Sequence, residues 1–508
     1  MTSVAVATSS PLAADAAYEI AANGGNAVDC ALAASLLTMN TEPGVCALAG
    51  SAFVTVWKAG EEPVTIDGNV AVPGKGLLPE HRGQGAVPVS MDYGGGIDTL
   101  VGSGSVAVPG SLAAVEHAWQ RYGNVRWDQL LEPSIRATRE GFPLPAACHY
   151  YLGYSGNDVY GRSVDGHNAL HRDGRLVDAG TAITVPHLAD TLDAIAKEGA
   201  ALFYKGEIAA VIADHCRDGG GALTREDLAT YESVERTPLR SRIGNWDFAS
   251  NPPPAVGGAV LAAMLAACSD LDGHAWTSAN LACLIDSQLA CLDYRKQKLD
   301  LADDVGAEAA RLLEAARSGQ LLSRWSSAST VHTSVVDDSG TGCSITASSG
   351  YGAGEMPAGT GLWLNNCLGE IELNRRGLDA GPVGARLPSN MTPGVARCDG
   401  AVLAVGSPGA DRITTAMQQF LINYLKFDMP LTEAIAHPRL HVDMSGEQTR
   451  LMCEPGLNIP VTKLPTHEYP EIVMYFGGVS AALWHEQTGL ESAADPRREG
   501  GTCIYDSP

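Results

Sequence analysis

Apolar and alanine positions recur at helical spacing over residues 11–22, and Asn23-Gly24-Gly25 then breaks the run. Asn26 stands where an N-cap belongs, so a second helix is predicted to run to about Leu37. Residues 52–57 and 63–66 alternate as strands do, joined by a turn around Gly60. The stretch 181–214 reads as mainly helical. After Gly219-Gly220-Gly221, the run Thr224-Arg225-Glu226-Asp227 resembles a capping box with Asp227 in the acidic position. Asn251-Pro252-Pro253-Pro254 ends a strand, and Gly257-Gly258 opens an apolar core helix within 255–268.

The pattern changes near Ser326. A polar stretch, Ser326-Ser327-Ala328-Ser329, gives way to a hairpin of residues 331–336 and 343–347, turned by Asp337-Asp338-Ser339-Gly340. A second hairpin, 395–398 and 402–405, turns at Asp399-Gly400 and leads into an amphipathic helix over 413–425. No internal repeat or charged tail is present.

At 508 residues the chain is long enough for two or three domains or one large layered body. With 45% hydrophobic and 18% charged residues it has the makings of a large core. The net charge of −24 repels nucleic acid and acidic membrane surfaces, which are discounted as partners. Twelve cysteines are scattered through apolar contexts, with no Cys-x-x-Cys pair and no Cys/His cluster of zinc spacing. Buried, reduced thiols are expected, and neither a metal nor another cofactor is called for. The N-terminal residues Met1-Thr2-Ser3-Val4 do not read as an export signal, and no apolar run reaches the length of a membrane span. The expectation is a cytoplasmic protein.

Thr330-Val331-His332-Thr333-Ser334-Val335-Val336-Asp337 is followed by Leu364-Asn365-Asn366 and by Gly406-Ser407-Pro408-Gly409. In that order and spacing these segments resemble the small subunit of γ-glutamyltranspeptidases, which are autoprocessing N-terminal-nucleophile hydrolases. The likeness extends over nearly the whole chain. Its further landmarks are Gly24-Gly25-Asn26-Ala27-Val28-Asp29, Val108-Pro109-Gly110, Phe203 to Ala209, Pro253-Pro254 with Gly257-Gly258, and Asp495-Pro496-Arg497 with Gly500-Gly501. The resemblance implies an α+β fold, a four-layer αββα sandwich. It also implies a precursor cut between Ser329 and Thr330 into a large segment, 1–329, and a small segment, 330–508.

Taken alone, a threonine opening a β-strand reflects strand propensity. In this motif the resemblance makes Thr330 the nucleophile. Cutting its peptide bond frees an α-amino group of pKa ~7.7–8.0, suited to act as general base at neutral pH. Gly409 and Ala410 occupy the positions of the family's paired glycines, whose N–H groups stabilise an oxyanion. Ser348 falls near a threonine that bonds the nucleophile. Glu370 stands where an acid grips the substrate α-amino group, and Ser389-Asn390-Met391 replaces the family's Ser-Ser-Met.

Two departures concern recognition. Gly350-Tyr351-Gly352 stands where the family has an asparagine. Asp67-Gly68-Asn69 puts Asn69 in place of the arginine that holds the γ-glutamyl α-carboxylate, a loss of a few kcal/mol of charge-assisted contact. Arg386, or the pair Arg375-Arg376, offers a replacement cation.

The expected substrate is therefore a small amino-acid-like or keto-acid molecule other than a γ-glutamyl compound. One chemistry open to such an enzyme is hydrolysis of a carbon–carbon bond with release of oxalate during alkylproline formation in antibiotic biosynthesis. An ordinary glutathione hydrolase or transpeptidase, and an unprocessed scaffold without activity, are the alternatives.

Overall fold

The computed structural model describes residues 2–92, 96–318, 330–371, 374–444 and 448–507. Thirteen strands form its two large sheets. They are β1 (Val4–Thr8), β2 (Ser51–Trp57), β3 (Val64–Gly68), β4 (Val234–Arg236), β5 (Leu239–Ile243), β6 (Trp246–Ser250) and β7 (Val331–Asp337). The rest are β8 (Gly342–Ser348), β9 (Gly394–Cys398), β10 (Ala401–Gly406), β11 (Ser480–His485), β12 (Gly489–Ala494) and β13 (Gly501–Tyr505). One sheet has the order β4-β3-β2-β8-β7-β1-β13, the other β5-β6-β9-β10-β11-β12, and every pairing in both is antiparallel.

Helices α1 (Pro11–Ala22), α2 (Ala27–Thr41) and α3 (Ser111–Tyr122) cover the outer face of the first sheet. On the far side of the second lie α4 (Gly257–Ala267), α5 (Ser278–Gln297), α6 (Val305–Arg317) and α7 (Arg412–Leu421). The sheets meet through small and β-branched side chains, Ala5, Val336, Val395, Val402, Ala404 and Ala482 among them. This is the αββα sandwich. Central strands covered on both sides lack polar alternation, and β2, β7, β8 and β10 are buried throughout.

The β7–β8 hairpin is locked by its turn. Asp337 Oδ1 accepts from the N–H groups of Ser339 (3.1 Å) and Thr341 (3.0 Å), while Oδ2 accepts from Ala27 N (3.1 Å) at the start of α2. One carboxylate thus closes the hairpin and ties it to the helix layer. Asn26 caps α2 in a full capping box with Asp29, as its position predicts.

Some boundaries differ from expectation. Helix α2 runs to Thr41 because Asn40 Nδ2 and Thr41 Oγ1 bond back to the carbonyls of Leu36 and Leu37, which lets polar residues finish the helix. The stretch 181–214 opens with the short strand Ala182–Ile183 and then breaks into helices Leu188–Glu198, Ala201–Tyr204 and Glu207–Asp218. Helix α7 ends at Leu421 and widens into a π turn, Ile422–Lys426. The polar stretch ending at Ser329 lies outside the described residues.

Candidate active site

Thr330 is buried and directly precedes β7. Val331 pairs with Ala347, so one step further along this register Thr330 faces Ser348 at the end of β8. Ser348 pairs in turn with Ser51, whose hydroxyl donates to Ser348 O (3.0 Å). The strand ends open into a small cavity of ≈ 30 Å³. Thr330, Ser348, Asn69, Glu370, Ser389, Asn390 and Ala410 all line it. These seven come from six separate segments of the chain.

Glu370 reaches the cavity on a loop stapled by the adjacent asparagines. Asn365 Nδ2 donates to Ala49 O (2.9 Å) and Ala107 O (3.0 Å), and its Oδ1 accepts from Ala107 N and Cys367 N, both at 3.1 Å. Asn366 Nδ2 donates to Leu100 O (3.1 Å), and its Oδ1 accepts from Tyr351 N (2.7 Å). Asn366 Nδ2 also donates to Thr99 Oγ1 (3.0 Å), and the Leu-Asn-Asn motif is therefore a clamp that sets the loop, its amides spent mostly on backbone.

Ser389-Asn390-Met391 is positioned from behind by the start of α4. Ser389 O accepts from Val256 N (2.9 Å) and Gly257 N (3.1 Å), and a Cβ on Gly257 would run into the Asn390 carbonyl and the Thr392 hydroxyl. The paired glycines that open α4 thus allow the close approach. Asn390 Nδ2 donates to Asp411 Oδ1 (2.7 Å) and, more weakly, to Ala410 O (3.3 Å). Asp411 is held by Arg295 Nη1 (2.9 Å), and Arg295 Nε pairs with Asp300 at 3.0 Å, all three residues being buried.

The Gly409-Ala410 corner is strained. Gly409 has φ +124°, and a Cβ there would lie 2.6 Å from Gly477 Cα. Ala410 has φ +67°, left-handed backbone that disfavours a side chain. Neither N–H donates to a described residue, the condition a developing oxyanion needs.

Asn69 lines the cavity with its amide already engaged, Nδ2 donating to Leu387 O (2.7 Å). Arg386 lies outside the cavity. Its guanidinium stacks 4.2 Å over the Tyr231 ring and its Nε is 3.7 Å from buried Asp67, which also pairs with Arg236 at 2.6 Å. Arg375 sits 3.3 Å from Asp300 and Arg376 pairs with Asp303, so neither reaches the lining. Among the described residues, no Lys, Arg or His faces the cavity, and Glu370 is its one charged group.

Ser51, Val70, Cys367, Pro388 and Met391 complete the wall. Nothing in their local sequence marks them; only the folding together of distant segments does. Burial raises the Cys367 thiol well above its ordinary value, and the adjacent Glu370 raises it further, so it stays protonated. His332, two residues from Thr330, bonds Thr346 Oγ1 (2.8 Å) and Ser334 Oγ (2.7 Å) through its two ring nitrogens. Burial pushes its pKa down to about 3, so it is a neutral core histidine with no nitrogen left to serve as base. Among the described residues no His/Cys/Asp/Glu group is arranged to hold a metal, and no helix is long and apolar enough to cross a membrane.

The αββα sandwich, with a threonine at the head of a central strand beside a cavity, is the fold of the N-terminal-nucleophile hydrolases. A family profile for gamma-glutamyltranspeptidase matches residues 13–505. The glutathione hydrolase proenzyme of Escherichia coli (strain K12) is 26% identical over 97% of this chain and 90% of its own length. Acylase ACY 1 proenzyme of Pseudomonas sp. (strain SE83) is 28% identical over 86% of this chain and 82% of its own. The crystal structure of cephalosporin acylase from Bacillus halodurans superposes with a TM-score of 0.78 at 23% identity, covering all of this chain and 96% of that one. The chain belongs to the γ-glutamyltranspeptidase family and is an enzyme of its hydrolase and acyltransferase type.

Proposed function

We propose that this protein is a self-cleaving acyl hydrolase in which Thr330 is the nucleophile and the acyl group is not γ-glutamyl. The observation that carries the reading is the convergence of Thr330, Ser348, Glu370 and Ala410 on one cavity at the strand ends. The precursor divides between Ser329 and Thr330, giving segments 1–329 and 330–508. In both sheets strands of the two segments pair directly, β7 with β1, β8 with β2 and β9 with β6, so the halves stay together after the cut.

In the mature enzyme the Thr330 α-amine takes the proton of Oγ1, and Oγ1 attacks the substrate carbonyl. The N–H groups of Gly409 and Ala410 receive the oxyanion. Collapse of the intermediate expels the amine, which leaves with that proton, and forms an ester on Thr330. Water, deprotonated by the Thr330 α-amine, then hydrolyses the ester to a free acid, and the α-amine returns that proton to Oγ1.

A γ-glutamyl group needs a cation for its α-carboxylate. Asn69 supplies none, and Arg386 is occupied by Tyr231 and Asp67. This counts against an ordinary glutathione hydrolase. Hydrolysis of a carbon–carbon bond to release oxalate, as a step of alkylproline formation in antibiotic biosynthesis, would use the same nucleophile. Its oxalyl carboxylate finds no Lys or Arg on the described walls, and cleavage of an amide is the reading we favour. Twelve free cysteines suit a reducing cytoplasm.

Denaturing intact mass of wild type beside Thr330→Ala tests the proposal. Two fragments in wild type and an uncut variant are expected. A wild-type chain that stays whole under all conditions removes the nucleophile assignment and favours an inactive scaffold.

A further inference from the structure

A second cavity lies apart from the one beside Thr330. It holds ≈ 420 Å³, against ≈ 30 Å³ at the strand ends, and falls within the roughly 300–1,000 Å³ of small-molecule sites. Its walls are the start of α1, the end of α2, residues 143–147 and residues 179–180, closed by Arg498 and Glu499. Pro11, Leu12, Pro143, Leu144 and Pro145 make much of that wall apolar. The prolines have a fixed φ. Leu144 is pinned on both sides, its N–H donating to Thr181 O (2.9 Å) and its carbonyl accepting from Gly180 N (2.8 Å), so the cleft is formed before any ligand arrives.

One carboxyl is set into this apolar wall. Glu42 is 5% exposed, and its Oε1 accepts from Ser9 Oγ at 2.8 Å. Oε2 takes no described hydrogen bond and yet is not sealed off, so it opens on the cleft. Ser9 and Arg498, the two groups that favour its ionised form, line the same cleft. They offset only part of the cost of burial, which lifts the Glu42 carboxyl to about 7. Behind it, the buried thiols of Cys46 and Cys148 are held protonated. With Glu499 also on the wall, the cleft has two carboxyl groups to one guanidinium. A carboxylate buried in that position is short of a counter-charge. The Thr330 chemistry makes no use of it.

We propose that this cleft binds a primary amine with an apolar body, its ammonium on Glu42 and its hydrocarbon against Leu12, Leu144 and the three prolines. The ammonium supplies the charge the wall lacks, and one of its three N–H groups reaches Oε2 in a charge-assisted hydrogen bond. An alcohol of the same body keeps the apolar contact and loses the charge. A carboxylate meets Glu42 and Glu499. The site stands whatever acyl group Thr330 takes.

Hexylamine, 1-hexanol and hexanoate share one chain and differ in the head group. Calorimetric titration of the full-length protein at pH 8 is expected to give saturable one-site binding of hexylamine, about tenfold or more tighter than 1-hexanol, with hexanoate weakest. Below about pH 7 Glu42 must lose its proton to solvent before the ammonium pairs with it. The hexylamine Kd should therefore rise about tenfold from pH 8 to 6, while that of 1-hexanol stays level. Glu42→Gln should bring hexylamine down to the level of 1-hexanol and leave turnover of a chromogenic p-nitroanilide unchanged. Ala147→Phe, which fills the cleft, should abolish binding of both, and it serves if the first variant does not fold.

Equal affinity for hexylamine and 1-hexanol, or a hexylamine Kd that is flat from pH 8 to 6, overturns the proposal. So does hexylamine binding that survives in Glu42→Gln, which would be the general pull of a chain of net charge −24 on cations. Absence of saturable binding by any of the three probes overturns it as well. None of these outcomes touches the Thr330 assignment.

Discussion

Gly350 and Glu370 stand so close that position 350 has no room for a side chain. A Cβ on Gly350 would lie 2.8 Å from Glu370 Oε2, and nearer still to Asn366 Oδ1. The backbone there has φ +67°, which an L-residue adopts at a cost. The space a side chain would need is filled by the carboxylate and by the clamp that holds its loop.

Gly350→Ala is therefore expected to destabilise the protein by about 2 kcal/mol, from left-handed strain plus overpacking. Because the carboxylate must shift, kcat/KM should fall further than the lost stability explains. Thermal unfolding and steady-state kinetics on one preparation check this. Unchanged kinetics in a folded variant would mean that Glu370 does not touch the substrate.

Ala410 gives the opposite expectation. Its φ of +67° carries strain that glycine does not feel, partly offset by the greater freedom of glycine in the unfolded chain. Ala410→Gly should stabilise by up to about 1 kcal/mol while keeping the N–H, so self-cleavage and turnover survive. A fall in Tm would show that the alanine side chain makes contacts worth more than its strain.

Arg386 is read as structural. Its guanidinium lies over Tyr231 and near Asp67, away from Thr330, and Asp67 keeps Arg236 when Arg386 is removed. Arg386→Ala should cost about 1 kcal/mol through the lost stacking and leave KM for a p-nitroanilide substrate within about twofold. A tenfold rise in KM would place the guanidinium at the substrate after all.

The layered fold could be read from the chain because its signals are local. The β7–β8 turn announces itself in Asp337-Asp338-Ser339-Gly340, and Asn26 caps α2 as its position predicts, while its reciprocal partner Asp29 shows only in the structure. The end of α2 was less legible, since Asn40 and Thr41 look like helix stops until their side chains bond back to the helix. The site divides in the same way. Thr330, Ser348, Glu370 and Ser389 sit in motifs whose order reveals them. Ser51, Cys367 and Met391 join the cavity only through tertiary folding. The fate of Arg386 depended on Tyr231 and Asp67, far away in sequence. So did the facing of the Asn390 amide, which the buried Arg295–Asp300 pair decides from outside the motif.

Stability against pH should follow two imidazoles and one carboxyl. Burial pushes His332 down to about 3 and His441 to about 4, so the folded protein leaves both neutral where the unfolded chain, with values near 6.5, protonates them. As pH falls below about 6.5, each costs about 1.4 kcal/mol per pH unit until its own folded value is reached. Glu42 works in the other sense. Burial raises it to about 7 against the opposing Ser9 hydroxyl and Arg498, so between about 7 and its unfolded value near 4.3 the folded state holds the extra proton. Acidification through that window relieves a buried charge and offsets one of the two imidazoles. Asp29 and Asp337, also raised by burial, act in the same sense as Glu42. Glu42→Gln removes the largest of these offsets. It is expected to be more stable than wild type at pH 8 by a few kcal/mol and to lose that lead on acidification, its stability falling more steeply than wild type by about 1.4 kcal/mol per pH unit between roughly pH 6.5 and 5. Denaturant unfolding of both proteins at pH 8, 6.5 and 5 measures the difference. Parallel curves would mean that Glu42 is ionised in the folded protein throughout this range, and that solvent reaches it through the cleft it lines with Pro11, Leu12 and Leu144.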